Sequence, residues 1–482
     1  MNPNVLLVVM DSVRARNTSL HGHVNETTPF LEEFVNERAT KYEQGRAPGA
    51  RSITSHASIF TGLEVAEHGI TSADHRLRPG TTIFETLQDE GYTTGVFSEN
   101  VWITNVDIGL KEGFDTVVGP QAVPFPDAMN PRKFVAEEGK GQYRQFIEAA
   151  LDDDQPVKSL VNGAYTKLSF DFREYLPGDD DKGSPGNLYR DRFLDWVDTT
   201  DGPWGACINL MDAHAPYKPK PEFDLWSDEL LHRIENDSPR KWELHAGTEK
   251  WWRQVARTAL YDGAIRQTDS YVEDIIAGLE ARGELDDTLV VVTSDHGEGF
   301  GERSEIRPSR VAGHNVSVHE VLLHVPLVVK LPGQTESETV EDVATLTRFP
   351  DAVTAALDGT IEPEEFIPNG PVVGMTYGLT ADDQLRARAL RFCDDISEFE
   401  HRSRVVYEQG EEHLQKYLSW GEKGATVEVR DAQTSYVTGA GGRERVEEAF
   451  EGIGDAGVRD EAGGMDDVDE ETIDRLEELG YV

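Results

Sequence analysis

Residues 288–302, TLVVVTSDHGEGFGE, constrain the fold of this chain more than any other stretch. Residues 289–292 are an unbroken apolar run with three valines, which is typical of a parallel strand covered on both faces. Asp295 and His296 follow this run, and open α/β sheets bind ligands at the carboxyl ends of their strands. The stretch therefore predicts a buried central strand with ligand groups at its end; a strand followed by an ordinary polar turn is the alternative.

The N-terminus has a second strand of the same kind. Residues 5–10, VLLVVM, lead directly into Asp11 and Ser12. Two parallel strands place their carboxyl ends at the same edge of a sheet. We therefore predict that Asp11 and Asp295 meet on one cation.

A hydroxyl-rich loop, residues 51–62 (RSITSHASIFTG), lies between these strands and leads into a short apolar helix. Here the chain resembles the sulfatase family of the alkaline-phosphatase superfamily, in which the pattern C/S-x-P-x-R-A-S-L-x-T-G carries the nucleophile ten residues before the glycine. The matching residue is Ser52. The other segments that carry the resemblance lie in order along nearly the whole chain: Asp11 with Arg14, then 27–29, 211–217, 261–269, the SDHG segment, 324–329 and 479–482.

The resemblance implies an α/β fold. We expect an alkaline-phosphatase-like large domain, with a mostly parallel central sheet covered by helices on both faces, plus a small C-terminal antiparallel subdomain. The expected boundaries are 1–369 for the catalytic domain and 370–482 for the subdomain, which ends in an acidic tail and a helix at 470–479. Within the catalytic domain we expect an irregular insertion at 120–202, which lies over the sheet edge and carries short helices. The local patterns predict the last strand of the main sheet at 326–331, a helix at 348–357, and subdomain strands at 372–377, 387–393, 403–407 and 426–429.

A metal site is implied by four of the matched residues. Asp11, Asp295, His296 and Ser52 together would supply three oxygens and one imidazole nitrogen. This set suits Mn, Zn, Mg or Ca rather than a soft metal, and it favours Ca or Mn. A serine hydroxyl also needs a metal or a base to become a good nucleophile. We expect one divalent cation here; for Ser52 the alternative role is a helix N-cap.

Two departures from the family pattern concern the nucleophile. Thr54 and His56 replace the Pro and Arg that accompany conversion of the motif residue into formylglycine. We therefore expect Ser52 to remain an unmodified serine. An unmodified serine with an Asp-His-Gly segment also resembles phosphatases, phosphodiesterases and phosphoglycerol transferases of the wider superfamily.

Other departures concern the charge that would hold a sulfate. His314 stands where the family has a substrate lysine, and residues 99–101 lack the lysine and histidine of the family. Arg51, His56 and His314 remain as candidates for contacts with the anionic oxygens. Either imidazole would help most when protonated, which favours a mildly acidic optimum.

His214 follows another apolar run, GACINLM, and resembles the family histidine near the leaving group. We assign it as the general acid or a substrate ligand. Asp212 either orients this histidine or binds a second metal.

The bulk composition excludes several function classes. Ninety acidic and 46 basic residues give a net charge of −44, spread along the chain, which argues against nucleic acid as a ligand and favours an acidic surface suited to high salt. The two cysteines, Cys207 and Cys393, exclude a disulfide framework. Since the chain enters its first strand without a charged n-region, we expect no secretory signal. We also expect no membrane span, because no run approaches the roughly 18 to 20 apolar residues that a span requires. We expect a cytoplasmic protein.

The sequence thus predicts a metal-dependent hydrolase of small-molecule or glycan sulfate esters that acts through Ser52. A phosphodiesterase or phosphoglycerol transferase is the alternative, since a phosphodiester and a sulfate ester carry the same single negative charge. A degenerate member that only binds an anion is a third reading. Because the expected site has lost cations, we predict greater activity on these monoanions than on a phosphomonoester.

Overall fold

The computed structural model describes residues 2–482 except 121–127, 130, 132–142, 154, 172–184, 238–239, 315, 382, 462–471 and 473–482. The strands are β1 (Asn4–Met10), β2 (Thr40–Arg46), β3 (His75–Leu77), β4 (Thr93–Ser98), β5 (Thr116–Val118), β6 (Trp204–Leu210), β7 (Thr288–Thr293), β8 (Phe300–Arg303), β9 (Arg310–Ala312), β10 (Leu327–Lys330), β11 (Glu338–Thr345), β12 (Val372–Thr376), β13 (Ser403–Glu408), β14 (Leu414–Trp420), β15 (Lys423–Val429), β16 (Ser435–Gly439) and β17 (Arg459–Glu461).

The helices alternate with the strands over the first three quarters of the chain. They are α1 (Pro29–Arg38), α2 (Ser52–Thr61), α3 (Val65–His68), α4 (Ile83–Asp89), α5 (Val101–Thr104), α6 (Tyr143–Asp152), α7 (Pro156–Asp171), α8 (Pro185–Thr199), α9 (Glu229–Asn236), α10 (Lys241–His245), α11 (Trp251–Ala256), α12 (Thr258–Arg282), α13 (Glu320–Leu323), α14 (Phe349–Asp358), α15 (Asp383–Leu390), α16 (Ser397–Glu400) and α17 (Arg443–Phe450).

The central sheet has eight strands in the order β11-β2-β10-β7-β1-β6-β4-β5. Only β10 runs antiparallel to its neighbours, so the prediction of a mostly parallel sheet is confirmed. Residues 326–331 do contain a strand of this sheet, β10, but the prediction that it is the last one is wrong. The edge strand β11 follows it, and its residues are mostly exposed in the first half, which weakened the apolar signal.

Both faces of the sheet are covered, as the continuous apolar runs predicted. Alternate residues of β1 enter two separate cores: Val5, Leu7 and Val9 pack with α2, α4 and α14, whereas Leu6, Val8 and Met10 pack with α1, α8 and α12. Every residue of β1 is buried, so a polar side chain on either face needs a hydrogen-bond partner, as Asn4 has in Glu284 at 2.7 Å.

The region predicted as an irregular insertion contains α6, α7 and α8 among its described residues. Helix α8 belongs to the main core: Phe193 is fully buried, with its ring 5.7 Å from the rings of Phe97 and Trp204. The sequence predicted short helices over the sheet edge, whereas α8 has 15 residues and packs in the main core. The bounds of the insertion stay a prediction.

A separate antiparallel sheet, β12 to β16 in consecutive order, follows near the C-terminus. Three of its strands were predicted, but the expected strand at 387–393 is wrong: Asp383–Leu390 is helical and buries Leu385 and Ala389, four residues apart, on one face. The predicted helix at 470–479 lies outside the described residues apart from Thr472. The domain boundary at 369/370 stays a prediction. Within the described part of the chain, no helix has the length and apolar character that a bilayer crossing requires.

Candidate active site

Adjacent strands bring the two aspartates together. Strands β1 and β7 pair in parallel, and Asp11 and Asp295 both follow their carboxyl ends with no exposed surface. The ligand atoms of Asp11, Asp295 and His296 lie within 4.8 Å of one another. We call these three residues the ligand cluster; among the described residues it is the only group of its kind.

Neutral polar groups hold the carboxylate of Asp11. Its Oδ2 accepts hydrogen bonds from the side-chain amides of Asn100 and Asn209, each at 3.1 Å. Burial alone would raise the pKa of Asp11, but His214 and His296 outweigh burial and hold this pKa below its ordinary value. The carboxylate is therefore ionised at neutral pH.

The carboxylate of Asp295 is only half satisfied. Its Oδ1 accepts hydrogen bonds from the backbone N–H groups of Ser12, at 3.3 Å, and His296, at 3.1 Å. Its Oδ2 accepts no hydrogen bond from any described residue. A buried carboxylate oxygen without a donor is unfavourable unless a cation binds it.

Ser12 connects the two aspartates through an unusual backbone conformation. Its φ of +63° is the only positive value among the described non-glycine residues, and its hydroxyl donates to Asp11 Oδ1 at 2.9 Å. Tyr261 holds this turn in place: its hydroxyl donates to the Ser12 carbonyl at 2.7 Å and accepts from the Arg14 N–H at 3.0 Å. Strain of this kind persists where the surroundings enforce it, which is common at functional sites.

A carbonyl contact determines the tautomer of His296. Its Nδ1 lies 2.9 Å from the Gly297 carbonyl, which can only accept, so Nδ1 carries the proton. Nε2 then directs its lone pair toward Ser52 Oγ, at 3.3 Å, and Asp295 Oδ2, at 3.4 Å. Burial lowers the pKa of His296, but Asp295 and Asp11 outweigh that effect and raise it above the ordinary value.

Ser52 is the first residue of α2, and Arg51 is its N-cap. The alternative N-cap role of Ser52 is therefore wrong. Ser55, one turn further on, donates to the Asp295 carbonyl at 2.5 Å and ties α2 to the loop after β7. The Ser52 hydroxyl thus lies at the positive end of a ten-residue helix, beside the ligand cluster.

The residues present fit a divalent cation. Neither carboxylate of the ligand cluster forms an ion pair with a described Lys or Arg; the only basic groups within 4.0 Å are the imidazoles of His56 and His296 around Asp295. Two buried carboxylates without a cationic side chain need another counter-charge. Oxygen and imidazole donors match the preferences of Ca, Mn, Mg and Zn.

Both ring nitrogens of His56 have hydrogen-bond partners within the protein. Nδ1 donates to the Ser52 carbonyl at 3.0 Å, and Nε2 lies 3.4 Å from the Asn209 amide nitrogen, which donates to it. The ring is fully buried. His56 thus orients Ser52 and Asn209.

Two further predicted histidines line the site. His214 Nδ1 donates to the Ala215 carbonyl at 2.8 Å, and its ring centroid lies 5.3 Å from that of His314. The His314 ring lies 4.4 Å from that of His296. Burial and the neighbouring His296 lower the pKa of His314 to about 4. The contact of His314 with the anionic oxygens of a substrate stays a prediction.

The remaining predicted residues lie at the margin. Arg51 is buried and donates from Nη1 to the Thr71 carbonyl at 3.1 Å. Asp212 Oδ1 accepts a hydrogen bond from Gln267 at 2.7 Å and does not belong to the ligand cluster.

Several residues of the site escaped the sequence reading. Asn209 had a signal, because it is the one amide in the apolar run GACINLM. Tyr261 opens the segment 261–269 that carries the family resemblance, and Asn100 lies in the compared stretch 99–101, but the sequence reading gave neither a role. Lys241 lies outside the site and was not considered; its Nζ donates to the His314 carbonyl at 3.1 Å, and it lies in a short helix, α10, with no matching motif.

Comparisons with known proteins agree with this geometry. Residues 3–359 match the model of the sulfatase family. The chain is 22% identical to an arylsulfatase of Clostridium perfringens over 332 residues, which are 64% of this chain and 65% of the relative. It is 33% identical to arylsulfatase K of Bos taurus over 345 residues, which are 71% of this chain and 60% of that protein. The chain thus spans less than two thirds of the length of these relatives.

A solved structure resembles most of the chain. The phosphonate monoester hydrolase of Agrobacterium radiobacter aligns with a TM-score of 0.60 and 17% identity over 89% of each chain. This likeness establishes the alkaline-phosphatase-like fold class. The family match covers residues 3–359, more than half of the chain, and contains the ligand cluster, Ser52, His214 and His314. The chain therefore belongs to the sulfatase family.

Proposed function

We propose that this protein hydrolyses sulfate esters of small molecules or glycans, with Ser52 as an unmodified nucleophile. The observation that carries the proposal is the position of Ser52 Oγ, 3.3 Å from His296 Nε2 and at the N-terminus of α2. Membership of the sulfatase family supports the reaction class.

Asp11, Asp295, His296 and the Ser52 oxygen would hold one divalent cation, with Ca or Mn favoured by the oxygen-rich donor set. When bound, such a cation neutralises charge on the sulfuryl oxygens and makes the serine hydroxyl more acidic. Ser12, Asn100 and Asn209 orient the carboxylates through the hydrogen bonds described above.

The residues of the chain divide the chemistry between them. Ser52 Oγ forms a bond to sulfur and loses its proton to solvent while the bond from sulfur to the ester oxygen breaks. His214 donates a proton from Nε2 to that departing oxygen, since its Nδ1 is held by the Ala215 carbonyl. A water then attacks the same sulfur as the bond from sulfur to Ser52 Oγ breaks; one of its protons goes to Ser52 Oγ and the other returns to His214, and sulfate leaves. Arg51 and His314 line the substrate side.

Replacing Ser52 tests the nucleophile. Ser52→Ala should lower kcat for an aryl sulfate by at least about 10³-fold, whereas Ser58→Ala, on the same helix and hydrogen-bonded to His68, should leave kcat within about threefold. The mass of the peptide that contains Ser52 should equal the mass calculated with an unmodified serine at this position. Full activity in Ser52→Ala, or a mass two daltons lower, would contradict the proposal.

A phosphodiesterase is the second candidate, because a phosphodiester presents the same single charge to the site. Metal-loaded protein should hydrolyse an aryl sulfate or the matching diester faster than the phosphomonoester dianion. A faster rate on the phosphomonoester would reassign the protein as a phosphatase. If none of the three substrates were turned over, the protein would be a non-catalytic member of the family that only binds an anion.

A further inference from the structure

Two cations beside the active site have no carboxylate partner. Lys241 Nζ donates to the His314 carbonyl at 3.1 Å and forms no ion pair with a described residue. Arg307, between β8 and β9, is only 6% exposed, and its guanidinium makes neither a hydrogen bond nor an ion pair within the described part of the chain. It lies 5.2 Å over the ring of Phe399. A buried charge without a partner destabilises the folded protein. Such a charge is therefore expected where it binds a ligand.

The surroundings add positive charge. Burial lowers the pKa of Lys241 to about 7, and repulsion by Arg388, Arg51 and Arg307 adds to this effect, with only Glu298 opposing it. In a protein with a net charge of −44, these cations lie close enough to repel one another. Such a concentration of one sign attracts the opposite sign.

Neighbouring groups do not relieve this charge. Burial lowers the pKa of Arg307 to about 10 against the attraction of Glu398, so its guanidinium stays charged at neutral pH. Burial, then Lys241 and Arg307, lower the pKa of His245 to about 3. The imidazole between these cations is thus kept neutral.

The location connects these cations with the reaction. Lys241 contacts the backbone of His314, whose ring lies 4.4 Å from the ring of the ligand residue His296 and 5.3 Å from that of His214. His214 is the residue assigned to the leaving oxygen. A group bound at Lys241 therefore lies outside the ligand cluster, next to the segment that carries His314, where it would be a part of the substrate other than the sulfuryl group held by that cluster.

We propose that Lys241 and Arg307 form a second anion subsite, which binds an anionic group on the alcohol part of the ester. This inference rests on the proposed function and names its substrate class: sulfate esters of an alcohol that carries a further sulfate or a carboxylate. Both groups offer the oxygens that charge-assisted hydrogen bonds from ammonium and guanidinium require.

Sulfonates test this subsite without turnover, because their carbon–sulfur bond is not hydrolysed. Metal-loaded protein at constant ionic strength should bind an alkane-α,ω-disulfonate of one suitable length about tenfold or more tightly than methanesulfonate, as one added charge-assisted contact allows. The optimal length reports the spacing of the two subsites. A parallel series of ω-sulfocarboxylates shows which anion the second subsite prefers. Equal affinity at every length in both series would overturn the proposal.

Variants assign the effect to the two cations. Lys241→Met and Arg307→Leu should each remove most of the disulfonate advantage and leave the methanesulfonate Kd within about twofold. Lys423→Met is the matched control, since its ammonium lies 5.2 Å over the Trp420 ring as that of Lys241 lies 5.0 Å over Trp242. The control should keep the advantage; retention of it in both test variants would contradict the subsite.

Stability separates binding from a structural role. Lys241→Met removes a half-buried cation that has no ion pair with a described residue, so its thermal midpoint in anion-poor buffer should equal or exceed that of the wild type. A lower midpoint together with unchanged disulfonate binding would mean that Lys241 is structural. Turnover of aryl sulfate without a disulfonate advantage refutes the subsite alone, whereas the advantage without any turnover refutes the proposed hydrolase alone.

Discussion

Two clusters of buried carboxylates in this protein balance their charges differently. In the first, which we call the ion-pair cluster, Lys416 of β14 lies 2.7 Å from Glu305 and 3.0 Å from Glu320, and Arg46 lies 3.3 Å from Glu320. In the ligand cluster, by contrast, the carboxylates have no ion pair with a described Lys or Arg. Two cationic side chains therefore balance the carboxylates of the ion-pair cluster, and no described Lys or Arg does so in the ligand cluster.

Helix α13 nevertheless connects the two clusters. Glu320 opens helix α13, and the Leu322 carbonyl of this helix accepts a hydrogen bond from Gly297 N–H at 2.8 Å. A Cβ at Gly297 would lie 2.0 Å from the Val321 carbonyl, so only glycine allows this approach. The ion-pair cluster thus joins the C-terminal sheet to the helix that supports the loop of His296.

The largest expected effect is on the ligand cluster. Asp295→Asn should weaken metal binding by more than about 100-fold, because even residues that merely orient ligands cost 10- to 100-fold, and aryl sulfate hydrolysis should be lost with the metal. In chelator, however, the variant should be at least as stable as the wild type, since it carries one buried charge less. Metal analysis and thermal unfolding with and without chelator measure both. Unchanged metal occupancy would contradict the assignment.

The ion-pair cluster should respond in the opposite way. Lys416→Met leaves Glu305 and Glu320 with less counter-charge, and should lower the free energy of unfolding by about 3–5 kcal/mol. Lys423→Met, on the exposed start of the next strand, should change it by less than about 0.5 kcal/mol. Denaturant unfolding provides the measurement. If Lys416→Met that is still folded lost its metal, the two clusters would not be separable.

Tyr261→Phe tests whether the strained turn at Ser12 matters for the ligand cluster. Loss of the hydroxyl that bonds Ser12 and Arg14 should weaken metal affinity by about tenfold. Tyr217→Phe is the control: its ring lies 5.3 Å from that of Tyr261, and its buried hydroxyl has no hydrogen-bond partner among the described residues. Equal metal affinity in the two variants would show that the hydroxyl of Tyr261 is not a positioning group.

The smallest effect is a pH dependence of the cations beside His314. Lys241 has a pKa lowered to about 7 by burial and by Arg388, Arg51 and Arg307, against Glu298. Its charge is therefore present below this pH and lost above it. The disulfonate advantage should decline, by less than about tenfold, as pH rises through about 7, and Arg307 should keep the remainder. Lys241→Met should show a flat profile in the same titration.

Much of the fold was readable from local pattern. Residues 5–10 and 289–292 predicted strands covered on both faces because every one of their side chains is apolar. Parallel pairing then required Asp11 and Asp295 to meet, and the motif at 51–62 pointed to Ser52. The helix at 383–390 was misread in part as a strand, because short apolar runs carry weak periodicity. The edge strand β11 was missed, because a half-exposed strand has the same weakness. The cytoplasmic location and the domain boundary stay predictions.

The sequence by itself thus determined the two central strands and the family, and it predicted the ligand types, because apolar periodicity and motif spacing are properties of neighbouring residues. Only the tertiary structure decided which charges are paired. Lys416 meets Glu305 and Glu320, whereas Lys241 meets a carbonyl near Arg307, and no local pattern distinguishes these two lysines. The physical reason is that pairing depends on contacts between segments far apart in the chain, and burial makes each such contact, or its absence, energetically decisive.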